Sequence, residues 1–213
     1  MKTEGRPDRR QVEMYLNQIY QELEEYIARD KDFLNTLKPH KVPETAPKTI
    51  RDMSIYATRA DVGPMAGVAG AIAENIGKRL SKNHRIIICN NGGDIYYQSP
   101  DQESLILRAP GSPFDKTIKI QVPPAVQGKG LCTSSGIVGH SINTGRAYAV
   151  SILADNACLA DVWATSISNR IHSYMDMDRV LEFCREEEDI KGVAILVDHY
   201  LGIWGDIRLS RVE

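Results

Sequence analysis

The chain has 213 residues, 42% hydrophobic and 25% charged: enough apolar material for one sizeable core and too much for a disordered chain. Lysines and arginines number 26 against 28 aspartates and glutamates, a net charge of -2, and the lack of a basic surplus argues against a nucleic-acid or anionic-membrane partner. No apolar stretch approaches the ~20 residues of a spanning helix, and the first residues do not read as an export signal. The cysteines, Cys89, Cys132, Cys158 and Cys184, lie far apart with no Cys-x-x-Cys pair, so free thiols in a cytoplasmic protein are expected rather than a zinc site.

From Arg9 to about Asp30, Val12, Leu16, Ile19, Leu23 and Tyr26 recur at helical spacing. This predicts an amphipathic helix that docks on the core or forms a seam with a second subunit. Pro39, Pro43 and Pro47 then predict an extended strap. The expected organisation is an N-terminal helix over 1–38, a strap over 39–48 and one domain over 49–213. A second helix is expected from Met65 to Ser81, with an unusually small-residue surface from Ala66 to Ala73. Such a surface suits close approach of a neighbour or ligand. Arg85 to Cys89 and Ile95 to Tyr97 read as a hairpin, followed by strands at Leu105–Leu107, Thr117–Val122 and Ala147–Leu153. Helices at Ala157–His172 and Met177–Glu187 precede a last hairpin turning at Leu201-Gly202. Blocks of this kind predict an α+β fold with an antiparallel sheet backed by helices.

Three segments carry candidate chemistry. Asn90-Asn91-Gly92-Gly93-Asp94 is either a plain hairpin turn or a turn whose backbone amides face an anion. Gly128 to Gly145 packs hydroxyls, glycines, Cys132 and His140 into what reads as a loop able to hold phosphate, without a nucleophile elbow or a P-loop spacing. On the helix around Trp163, Asp161 and Thr165 stand one turn apart, where two oxygens could serve a hard cation such as magnesium. The other reading of that stripe is a solvated helix face.

Taken in order, Val62 to Glu74, the Asn-Gly-Gly-Asp box, Cys132-Thr-Ser-Ser-Gly-Ile-Val-Gly-His140 and Ala160-Asp-x-x-Ala-Thr165 resemble a small family related to the ApbE flavin transferases. The resemblance implies a single ApbE-like, T-fold-related domain. It further implies magnesium ligands at Asp161 and Thr165, and a flavin nucleotide site (FAD or FMN) involving Asn91, Gly92, Gly93 and Asp94. Thr133, Ser134, Ser135 and Gly136 would lie beside the pyrophosphate, with His140 as proton carrier. The transferases' Lys-Gly-Tyr-Ala-x-Asp box is absent: Ala66-Gly67-Val68-Ala69 stands in its place. Two alternatives remain open here. One is a sulfur-handling role in anaerobic sulfide assimilation towards homocysteine, using an ionised Cys132, where the other reading of that cysteine is a buried, inert thiol. The other is a non-enzymatic homodimer built on the first helix and the small-residue helix.

Overall fold

A computed structural model of the protein describes residues 1–3, 7–136 and 144–212. A short strand, β1 (Lys2–Thr3), precedes helix α1 (Arg9–Arg29), whose N-cap Asp8 accepts the Arg10 N–H. The apolar stripe of α1 reaches the core through Ile19 and Leu23, which are buried. A short α2 (Lys31–Asn35) follows, seated by the fully buried Phe33. The proline strap is non-helical but turns where the Ala46 N–H donates to the Pro43 carbonyl at 2.9 Å, and it ends in a helix that the spacing of prolines concealed. Pro47 caps α3 (Lys48–Ala60), which buries Ile50, Met53, Ala57 and Ala60 at helical spacing. A 3-10 turn, Pro64–Gly67, feeds α4 (Val68–Leu80).

The sheet begins with the hairpin β2 (Ile87–Asn91) and β3 (Asp94–Ser99), joined by Gly92 and Gly93, both at positive φ. After β4 (Glu103–Ile106) and β5 (Ile118–Val122) comes β6 (Ala125–Ser134), where a loop was expected. Two of its glycines are required by neighbours. Gly128 has φ +83°, and a Cβ there would stand 2.1 Å from the Tyr96 hydroxyl; one on Gly130 would stand 2.3 Å from the Ala157 Cα. The remaining elements are β7 (Ala149–Ala154), α5 (Ala157–Ser168), α6 (Met177–Glu186), β8 (Gly192–Val197), β9 (Tyr200–Gly205) and β10 (Arg208–Arg211). The β8–β9 turn lies at Asp198-His199, not at Leu201-Gly202, which are inside β9.

Seven strands form one antiparallel sheet in the order β1-β2-β3-β6-β7-β8-β9. A separate three-stranded sheet runs β10-β5-β4, so the end of the chain leaves its hairpin partner and pairs with β5 instead. Strand alternation gives the large sheet two apolar faces. Ile87, Cys89, Tyr96, Val150, Ile152 and Val193 join the helices in one cluster. Ile88, Tyr97, Leu131, Leu153 and Leu196 join Ile120, Val122 and Ile207 of the small-sheet side in the other. The result is a helical layer, a central sheet and a small covering sheet, an α+β domain in which α5 is buried at every position. No helix among the described residues is long and apolar enough to cross a membrane.

Candidate functional site

The segments singled out in the sequence meet where α4 and α5 lie against the ends of β3 and β6. Asp161 is 7% exposed, Thr165 5% and Ser168 0%, so their stripe of α5 faces inward rather than solvent. Asp161 Oδ2 accepts the Gly70 N–H at 2.8 Å, using an amide in the first turn of α4 that has no intrahelical partner of its own. This use of the small-residue segment was missed in the sequence, where the run Ala66 to Ala73 is the signal for it. A Cβ on Gly70 would stand 2.3 Å from the Ala157 carbonyl oxygen. Gly67 and Gly70 therefore serve α4–α5 packing inside the domain.

Asp94 reaches the same place from the hairpin, where its Oδ1 accepts the Thr133 N–H at 3.3 Å. Burial pushes the Asp94 carboxyl up to about 7, against a small lowering by the Thr133 amide. Burial also drives Asp161 well above the carboxylate range, and the charge of Asp94 drives it further, against the lowering contributed by the Gly70 and Ala69 amides. Two carboxyls from segments far apart in sequence thus oppose one another's ionisation in a poorly solvated spot. Thr133 closes one side, its hydroxyl 2.7 Å from that of Ser151.

The other candidates make contacts within the fold or lie beside it. Asn91 Nδ2 donates to the Ala69 carbonyl at 3.2 Å, strapping the hairpin to α4. The Gly93 N–H donates to Asn90 Oδ1 at 3.0 Å, so that amide is spent within the turn, while Gly92 has open space around it. Ser134 is buried within β6, and Ser135 follows it. The Gly136 N–H donates to the Ala147 carbonyl, and a Cβ on Gly136 would stand 2.0 Å from the Gly145 carbonyl oxygen. That glycine is needed for backbone contact, not as a phosphate donor. His140 lies outside the described residues.

Cys132 follows the buried, inert reading, and only its expected place in an open loop is corrected. It is 0% exposed, on β6 rather than in an open loop, and its thiol donates to the Ala157 carbonyl at 3.2 Å. Burial, then the charges of Asp94 and Asp161, push the thiol well above its ordinary value. An ionised, accessible sulfur is the opposite of this environment, and the sulfur-handling reading loses its residue.

Asp161, Asp94 and the Thr165 hydroxyl supply hard oxygen donors. Among the described residues no group of three or more histidine, cysteine, aspartate or glutamate side chains gathers to hold a metal.

This arrangement of fold and site defines an ApbE-type α+β domain, and comparison with known proteins agrees. The family model described as "AbpE bacteria" matches residues 1–197, so the chain belongs to that family. A UPF0280 protein of Methanococcus vannielii is 37% identical over 199 residues, covering 90% of this chain and 80% of the relative. One from Methanocella arvoryzae is 33% identical over 201 residues, covering 92% and 81%. Among solved structures, the flavin transferase ApbE from Vibrio cholerae superposes with a TM-score of 0.51 at 13% identity, covering 95% of this chain and 90% of that one. At that identity the match shows a shared fold.

Proposed function

We propose that the protein binds a flavin nucleotide, FAD or FMN, together with magnesium at the junction of β3, β6, α4 and α5. The observation that carries this is geometric: the Thr133 amide holds Asp94 and the Gly70 amide holds Asp161, which brings two buried carboxyls to one spot beside α5. Two carboxyls held together at low solvation are costly when both are ionised, and a bound divalent cation compensates that charge. Asp161 and Thr165 would hold the cation, which would supply charge neutralisation for a pyrophosphate. The Gly70 amide fixes the Asp161 carboxyl, and the Thr133 amide fixes that of Asp94. The fold shared with a flavin transferase supports flavin as the nucleotide.

Binding is proposed rather than transfer, because Ala66-Gly67-Val68-Ala69 stands where the transferases carry their lysine and tyrosine. The four free, buried thiols suit a reducing cytoplasm. The test is a calorimetric titration with FAD, with and without magnesium, on the parent chain and on Asp161→Asn. Magnesium should tighten FAD binding by about tenfold or more in the parent, and this gain should vanish in the variant. Equal affinity with and without magnesium in the parent chain refutes the cation site; absence of FAD and FMN binding refutes the nucleotide.

A further inference from the structure

A cleft lies elsewhere, between α3, α4 and the first turn of α5. It encloses about 580 Å³, within the range of small-molecule sites. Four cations line it: Lys48, Lys78, Arg79 and Lys82, against two carboxylates, Asp52 and Glu74. Each carboxylate is already matched, Asp52 by Lys48 and Glu74 by Lys78. Glu74, 8% exposed, also accepts the Cys158 N–H at 3.1 Å, so its charge is further committed to the start of α5.

Two positive charges are left over. Lys82 is exposed and makes no ion pair among the described residues. Arg79 is held without an acid: its Nη1 donates to Gln18 Oε1 at 2.7 Å and its guanidinium lies 5.0 Å from the Tyr15 ring centroid. An arginine oriented by an amide and an aromatic ring keeps its remaining donors for an anion. Below these charges, Asn75 and Thr49, hydrogen-bonded at 3.2 Å, offer neutral polar groups, and Ala71 and Cys158 form an apolar wall.

This cleft is separate from the carboxylate pair. Between them α4 is pressed on α5 so tightly at Gly70 that no side-chain atom fits, and the Glu74–Cys158 bond lies on the same wall. The two places are also opposite in charge: one gathers unpaired carboxyls, the other surplus cations. We propose that the α3–α4 cleft is a second ligand site, for a small organic phosphate, whose phosphoryl group is held by Arg79 and Lys82 and whose body lies against Asn75 and Ala71.

Inorganic pyrophosphate serves as the probe, titrated calorimetrically in EDTA and low salt so that no cation can draw it to Asp161. Binding should weaken as salt rises. The Arg79→Ala/Lys82→Ala double variant should lose about tenfold or more in affinity, the loss expected when two charge-assisted contacts go. Asp161→Asn should stay within about twofold of the parent. Because Arg79 also holds Tyr15, the single variant Lys82→Glu, at an exposed position, repeats the test with the α1 contact intact, and melting curves confirm folding. No pyrophosphate binding by the parent chain overturns the proposal, as does unchanged affinity in Lys82→Glu. Loss of binding in Asp161→Asn alone would move the anion to the other site and overturn it equally.

Discussion

Asp94 and Asp161 give the site a measurable signature in proton uptake. An unfolded aspartate releases its proton near the ordinary value of 3.8, whereas folded Asp94 keeps its proton up to about 7. Between those values the folded protein binds more protons than the unfolded chain, so the stability linked to Asp94 is full below the lower value. It is lost as pH rises through the upper one. The carboxyls held low, Asp30, Asp115, Asp155 and Asp176, act at more acidic pH and leave this window to the raised pair. In metal-free buffer the Asp94 contribution to the melting temperature should therefore fall between about pH 4 and about pH 7, and Asp94→Asn should flatten that fall. Magnesium should restore part of the loss in the parent chain only. A profile identical in parent and variant would show that Asp94 is ionised without cost. At Cys132 the expectation is inertness: a limiting alkylating agent should leave all four thiols unmodified until denaturant is added, since each is buried. Rapid labelling of Cys132 in the folded protein, seen by peptide mapping, would contradict its packing under Ala157.

At the scale of elements, the contact between α4 and α5 is the most sensitive joint. A Gly70→Ala methyl would meet the Ala157 carbonyl oxygen at 2.3 Å and the Asp161 Cβ at 2.8 Å. Neither can retreat, because α5 is held from behind by β6 and β7, so the helices must separate. Overpacking of this kind costs about 1–3 kcal/mol, and here it also withdraws the Gly70 amide from Asp161. Chemical denaturation of Gly70→Ala should show a loss of that order, together with weaker nucleotide binding; parent-like values for both would mean the joint is loose. This joint also shows what sequence could and could not convey. The hairpin β2–β3 and the Asp161/Thr165 stripe were legible because their signals are local, a Gly-Gly turn and a one-turn spacing. Strand β6 was hidden by glycines that exist for Tyr96 and α5, partners distant in the chain. Helix α3 was hidden because Pro47 looks like the end of an extended strap, although proline is well tolerated at a helix start. The burial of α5 was missed for the same reason: a helix enclosed on all sides has no polar face, and its few polar residues then mark a site rather than solvent.

For the molecule as a whole, stability should be distributed outward from the middle of the large sheet. Strands β6, β7 and β8 have neighbours on both edges and layers on both faces, and α5 is enclosed with them. α1 buries only Ile19 and Leu23 fully, packs its other apolar residues against the core half-buried, and leaves Met14 and Tyr20 exposed. Native-state hydrogen exchange should accordingly find the slowest amides in β7 and α5 and the fastest helical ones in the first turns of α1. Comparable protection of α1 and α5 would require a contact for α1 beyond those described.

The small sheet also bears on how the chain reaches its final form. β5 is bordered by β4, nearby in sequence, and by β10, whose Ser210 lies 89 positions from its partner Gln121. As the polypeptide emerges from the ribosome, β5 therefore keeps one edge bare until β10, near the end of the described chain, is made. Ile118, Ile120 and Val122, which pack towards the large sheet once it is complete, lack that cover throughout the interval. An unpaired edge beside apolar side chains invites association with other nascent chains, and the charged Lys119 between Ile118 and Ile120 stands where it discourages that pairing.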